Sequence, residues 1–289
     1  MEAQVIPFVD AHHHIWDLDR QSYPWLMGQG LPDSTSSMGD YSRIRRSYLI
    51  EEFLSEAAGS GLAKSVQVEA TSTDPVAETR WVQAVADRVG FPSAIVAFVD
   101  LRKASAEAEL DSQCQCALVR GIRMTELGDL VSDPAFRRGF AALARRGLSY
   151  DLDIRWPTMD QALDLARTFP TVWIILNHIG GPSSLGDEEF DSWRRGVRVL
   201  AQAPNVLVKI SGLGMADHSW TVATIRRWVL ETIDVFGAER CMFGTNWPVD
   251  SLYSSYRNVV DAYREIIAGF TPREQQSMLW RNAEHYYRI

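Results

Sequence analysis

Three consecutive histidines, His12, His13 and His14, close an apolar run that begins at Ile6, with Asp10 just before them and Trp16-Asp17 just after. On a β-strand successive side chains point to opposite faces, so His12 and His14 share one face and His13 takes the other. Two imidazoles side by side at a strand end are costly to bury. They become useful where a metal ion, an oxyanion or a carbonyl oxygen has to be held. The flanking aspartate and Trp-Asp distinguish the cluster from a purification tag, and a histidine-rich loop start is the plainer alternative.

Such a pair needs a scaffold. Eight short, β-branched apolar runs recur along the chain: Ile6–His12, Lys64–Glu69, Ala94–Asp100, Leu118–Arg123, Leu148–Asp153, Val172–His178, Val206–Ile210 and Cys241–Asn246. Each later run alternates with an amphipathic segment, the pattern of parallel strands covered on both faces. Helix starts are marked by Asp74-Pro75 and Asp133-Pro134, where a capping side chain precedes proline at the first helical position. Thr271-Pro272-Arg273-Glu274 adds a reciprocal capping box. Gly90 and Gly147 stand where helices should stop. No linker or change of composition divides the chain, so residues 1–289 read as one domain. The expected architecture is an α/β fold, a single (β/α)8 TIM barrel, whose usual size is about 250 residues. A doubly wound open sheet is the competing topology, but no strand is followed by a Gly-x-Gly-x-x-Gly phosphate turn. The stretch from Leu18 to about Tyr48 forms a long first βα loop. Its aromatics Tyr23, Trp25 and Tyr41 suggest an ordered cover for the barrel mouth.

Composition limits the partners. With a formal net charge of −8, the chain lacks the basic face that nucleic acid requires. No apolar run reaches the roughly 20 residues that cross a bilayer, and the N-terminus lacks a signal-peptide pattern. The three cysteines, Cys114, Cys116 and Cys241, are odd in number and have no metal-binding spacing. A cytoplasmic protein with a small-molecule substrate is expected, with no nucleic acid and no membrane; exposed barrel helices often pair, so a homo-oligomer is possible. Lysine is scarce, occurring only as Lys64, Lys103 and Lys209, which draws attention to Lys209 at a strand end.

In a barrel of this kind reactive groups gather at the C-terminal ends of the strands. Taken in order, those ends carry His12 and His14; Glu69; Asp100; Arg123; Asp151, Asp153 and Arg155; Asn177 and His178; Lys209 and Ser211; and Asn246. Each has an ordinary structural explanation alone. Their recurrence at equivalent points of successive units is what points to a site, because ionisable groups crowded into an interior are a liability unless used.

Three segments resemble the amidohydrolase superfamily: Asp10-Ala-His-His-His-Ile-Trp-Asp17, Asn177-His178-Ile-Gly-Gly-Pro182 and Met242-Phe-Gly-Thr-Asn-Trp-Pro-Val249. The nearer likeness is to the amidohydrolase-2 branch, which holds sugar-acid lactonases and 2-pyrone-4,6-dicarboxylate lactonase. Glu78-Thr-Arg-Trp81, Val119-Arg-Gly-Ile-Arg123 and Val208-Lys-Ile-Ser-Gly-Leu213 support it, and the likeness runs to Trp280-Arg-Asn-Ala283. The resemblance implies lactone hydrolysis: water attacks the carbonyl of a cyclic ester bearing carboxylate or hydroxyl groups.

Two departures from the family pattern bear on cofactors. Metal-dependent members carry a further histidine after strand five and an aspartate after strand eight, whereas this chain has Asp151 and Asp153 in the first place and Asn246 in the second. No cofactor is therefore favoured; the alternative is one Zn2+ on His12, His14 and His178. Asn246 can orient water but cannot take its proton near neutral pH. The base then falls to Asp151, His178 or Asp250. The catalytic set is His12, His14, Asp151, His178, Asn246 and Asp250, and the substrate-facing set is Tyr23, Trp25, Glu69, Arg123, Arg155, Lys209 and Trp247. A metal-dependent decarboxylase of aromatic acids, and a barrel kept for binding with catalysis reduced, are the alternative functions.

Overall fold

The computed structural model describes residues 6–28, 38–125 and 128–289. Eight strands lie side by side in sequence order, every neighbouring pair parallel. They are β1 Phe8–His13, β2 Leu62–Val68, β3 Ala94–Phe98, β4 Val119–Met124, β5 Ser149–Leu152, β6 Ile174–Leu176, β7 Val206–Ile210 and β8 Cys241–Phe243. Each is followed by a helix: α1 Ile50–Glu56, α2 Pro75–Val89, α3 Ala106–Gln113, α4 Pro134–Arg146, α5 Met159–Thr168, α6 Asp187–Leu200, α7 Val222–Phe236 and α8 Tyr256–Ile266. Two short helices, α9 Pro272–Gln276 and α10 Asn282–Tyr287, end the chain. This is the expected (β/α)8 barrel.

The helix signals act as their chemistry requires. Asp74 and Asp133 accept from the backbone N–H groups of Ala77 and Ala135, and Gly90 and Gly147 end their helices in the left-handed region. Thr271 and Glu274 form the reciprocal box. Inside the barrel, Val9, Ala11, Val66, Val68, Ala94, Val96, Ile175, Leu207 and Met242 pack together, and Ala283 and Tyr287 of α10 join them. The larger apolar cluster lies between strands and helices.

The seam between the first and last strands is made by the site residues themselves. The backbone N–H of Asn246 donates to His12 O at 2.7 Å, and that of His14 donates to Trp247 O at 2.6 Å. Gly244 permits this approach, since a Cβ there would lie 2.7 Å from the His12 Cβ. Buried Asp10 reinforces the seam by accepting from Thr245 N at 2.9 Å, Thr245 Oγ1 at 2.6 Å and Tyr256 OH at 3.0 Å.

Several strands end earlier than the apolar runs suggest. The sixth stops at Leu176 and the eighth at Phe243, because the chain turns into positive φ at His178, Ile179 and Asn246. Left-handed backbone leaves the ladder and brings the His178 and Asn246 side chains to the barrel mouth, while Ile179 packs into the apolar cluster. Among the described residues no helix is long and apolar enough to cross a membrane.

Candidate active site

At the C-terminal mouth lies a cavity of about 180 Å³, lined on its polar side by His14, Arg123, Asp153, Arg155, His178 and Asn246. Its apolar side includes Trp25, Met38, Leu213, Met215 and Val249. Residues from seven of the eight strand ends or the loops beyond them, with Ala70 and Thr71 after β2 among them, thus meet in one place.

The β1–β2 pairing has a register irregularity between Asp10 and His13, and the side chains of His12 and His14 nonetheless come together on one side. His13 turns away, stacking on Phe53 at 4.1 Å and meeting Ser65 Oγ through Nε2 at 3.0 Å. His14 Nδ1 donates to Val68 O at 2.8 Å, which leaves its Nε2 with a lone pair 3.2 Å from His12 Nε2. The His178 ring lies 4.5 Å from that of His12, and its Nδ1 meets Ser211 Oγ at 2.9 Å. Gly212 makes room for that ring: a Cβ there would come within 2.6 Å of His178 Nδ1.

All three rings are held neutral. Burial is the main cause in each case. It is helped by the cation of Lys209 at His12, and by Arg123 at His14, whose value falls to about 3, and at His178. Neutral imidazoles can donate through one nitrogen and accept through the other, or ligate a metal.

Arg123 is aimed by a second carboxylate. Its Nε donates to Glu69 Oε1 and its Nη2 to Glu69 O, both at 2.7 Å, with Asp153 Oδ2 3.9 Å from Nη1. The other Glu69 oxygen takes the N–H of Thr71 at 2.7 Å, holding Thr71 on the cavity wall at φ +61°. Glu78 accepts from Ala70 N at 3.1 Å, and Trp25 Nε1 donates to Ala70 O at 2.8 Å. The described parts of the first loop therefore dock on this turn: Tyr41 OH donates to Trp25 O at 3.1 Å, and Met38 reaches the cavity. The middle of that loop, residues 29–37, lies outside the described residues.

Other expected site residues lie off the cavity. Lys209 and Asp151 are both fully buried within the barrel, where Lys209 Nζ donates to Asp151 Oδ2 at 2.5 Å and Tyr287 OH to Asp151 Oδ1 at 2.9 Å. Neither is among the residues that line the cavity, so the structure places the expected clamp Lys209 and the expected base Asp151 beneath it. Their strand positions lie one layer below the mouth, and a buried ion pair satisfied by a tyrosine is the result. Trp247 faces outward, donating from Nε1 to Glu56 Oε2 at 2.5 Å. Tyr23 is buried beside Glu78, and Asp100 pairs with its neighbour Arg102. Asp250 is also buried, behind Asn246 rather than in the cavity. His12 lies just beneath His14. The carboxylate on the wall is Asp153, just beyond the end of β5, a residue already noted among the strand-end groups of the sequence. Thr71, Thr125, Met38 and Met215 had no comparable signal.

The amidohydrolase family profile matches residues 9–289. The chain belongs to the amidohydrolase family. An amidohydrolase of Burkholderia multivorans, solved with zinc bound, superposes with a TM-score of 0.84 at 25% identity, covering 98% of this chain and 99% of that one. Among relatives, the uncharacterized protein y4mH of Sinorhizobium fredii is 43% identical over 98% of this chain and 99% of its own. An L-fucono-1,5-lactonase of Burkholderia ambifaria is 27% identical over 97% of this chain and 95% of its own. The residues lining the cavity thus lie at the C-terminal mouth of an amidohydrolase barrel, with Asn246 in the loop that follows its eighth strand.

Proposed function

We propose that this amidohydrolase opens a small lactone by attack of water on the ring carbonyl. The observation that carries the reading is the convergence of two neutral imidazoles, His14 and His178, with the anchored guanidinium of Arg123 and the carboxamide of Asn246 on one small cavity. Such preorganised polar groups stabilise the charge that develops on a carbonyl oxygen as water adds. The likeness to L-fucono-1,5-lactonase supports the same chemistry.

In this reading Arg123 faces the carbonyl or an adjacent anionic group, and Asn246 orients the water. His178, whose Nδ1 is occupied by Ser211, has Nε2 to accept the water's proton and return it to the departing ring oxygen. Arg155 lines the cavity and forms no ion pair with any described residue, which suits it to a carboxylate or hydroxyl on the substrate. The apolar wall of Met38, Leu213, Met215 and Val249 receives the rest of the ring.

Zinc fits the donors in part. The Nε2 atoms of His12 and His14 are 3.2 Å apart and uncharged, with His178 adjacent, so these three would hold the ion. Among the described residues no three His, Cys, Asp or Glu side chains are already gathered as a metal site. When bound, zinc would polarise the carbonyl oxygen.

The test is acid release from a panel that includes L-fucono-1,5-lactone and pyrone dicarboxylates. Asn246→Ala should slow the reaction by roughly ten- to a thousand-fold. If no lactone is opened and aromatic acids instead release carbon dioxide, the enzyme is a decarboxylase; tight binding without turnover marks a binding barrel.

A further inference from the structure

We propose that Asp250 is a positioning residue for hydrolysis, holding the Asn246 carboxamide so that its oxygen, and not its nitrogen, faces the attacking water. The inference rests on the lactone-hydrolysis reading and adds to it the group that gives Asn246 its direction.

The geometry is that of a clamp. Asn246 Nδ2 donates to Asp250 Oδ2 at 2.7 Å, and the backbone N–H of Gly214 donates to Asp250 Oδ1 at 3.1 Å. Both carboxylate oxygens are thereby used, one by each loop. Gly214 is required there, since a Cβ would fall 2.6 Å from Asp250 Oδ1 and 2.5 Å from Tyr253 Cδ2. The four-residue offset works because Asn246 takes φ +57° and the N–H of Asp250 returns to Asn246 O at 3.2 Å. Asparagine tolerates that backbone better than most residues. Asp250 itself stays buried, so it acts through Asn246 and touches no substrate.

An ionised carboxylate is an acceptor only, so it draws the Asn246 nitrogen toward itself and leaves Oδ1 for the cavity. A protonated Asp250 can instead donate to that oxygen, which turns the nitrogen outward and removes the acceptor from the water. Facing Asp250 are Asp10 of β1, Tyr253 of the following turn and Tyr263 of α8, besides Asn246 and the backbone of Gly214. Burial, with a smaller push from Asp10, raises its pKa to about 7, so both states are reached near neutrality.

The experiment is kcat and KM for lactone opening from about pH 5 to 9 in the parent, in Asp250→Asn and in the double variant N246D/D250N. Asp250→Asn preserves volume but supplies one oxygen for two donors. The fixed Gly214 N–H takes that oxygen, and the new amide nitrogen turns Asn246 round. The expected result is a fall in kcat of about ten- to a hundred-fold with KM within about threefold, and loss of the acidic limb near pH 7. The double variant places a carboxylate on the cavity side, accepting from the new amide, and should recover rate with a displaced limb. An unchanged kcat and pH profile in Asp250→Asn overturns the proposal. A second readout needs no turnover: in 15N-asparagine-labelled parent protein, the Asn246 side-chain NH2 resonances should titrate near pH 7. A flat titration overturns the proposal, even where lactones are opened. If no lactone is opened but the resonances titrate, the lactone reading falls while the Asp250–Asn246 clamp stands.

Discussion

Arg123 and Glu69 meet twice, through the side-chain carboxylate and through the backbone carbonyl, each at 2.7 Å. Both are almost wholly buried, so the guanidinium enters the cavity in one orientation. Charge-assisted, doubly anchored contacts of this kind fix direction as well as energy.

Removing the anion should therefore disarm the arginine. Glu69→Gln keeps the shape but weakens the hold on Arg123 and on the Thr71 N–H. We expect kcat/KM for lactone opening to fall by about ten- to a hundred-fold, and Arg123→Met to cost more. Steady-state kinetics on purified variants check this, and equal activity of Arg123→Met and the parent would remove Arg123 from the site.

The Lys209–Asp151 pair concerns stability instead. Lys209→Met leaves a fully buried carboxylate that keeps the Tyr287 hydroxyl and the more distant charge of Arg123 but loses its direct ion pair. The expected loss is about 3–5 kcal/mol in urea unfolding, with partial recovery when Asp151→Asn is added. An equal loss in the single and double variants would show that the lysine contributes by packing alone.

Chelation gives the metal test. The imidazoles are uncharged, Arg123 and Lys209 are cationic neighbours of them, and Asn246 supplies no anion. Lactone opening is expected to persist after exhaustive dialysis against a chelator. Zinc near one per chain by elemental analysis, with activity lost on its removal and regained on its return, would establish a metal enzyme.

A buried acid on α2 sets a pH dependence. Burial, and secondarily the charge of Glu69, raises the Glu78 pKa from 4.5 to about 8. A raised acid is favoured protonated in the folded state, so its contribution is complete below the unfolded value and is lost as pH rises through that window to about 8. Glu78→Gln mimics the protonated form. The parent should lose on the order of a few kcal/mol relative to Glu78→Gln between mildly acidic and mildly alkaline pH, measured by denaturant unfolding. Parallel stability curves would contradict the shift.

Much of this architecture was legible in the residues themselves. Apolar runs alternating with capped helices specify parallel strands covered on both sides, and the Asp74, Asp133 and Thr271 caps are local chemistry that needs no distant partner. The sharing of a face by His12 and His14 follows from strand periodicity, as does the placing of His178, Arg123 and Asn246 at strand ends. Depth was not legible. Lys209 and Asp151 stand at strand ends like the others, but only the stagger of the closed barrel and the arrival of Tyr287 from α10 decide that they face each other below the cavity. Nor could the sequence show that Asp153 reaches the wall while Trp247 turns outward to Glu56, or that the Asp250 carboxylate lies behind Asn246. Periodicity is a property of one segment and fixes which side a residue faces. Distance to the cavity depends on register, left-handed turns and contacts between segments far apart in the chain, and those exist only once the barrel has closed.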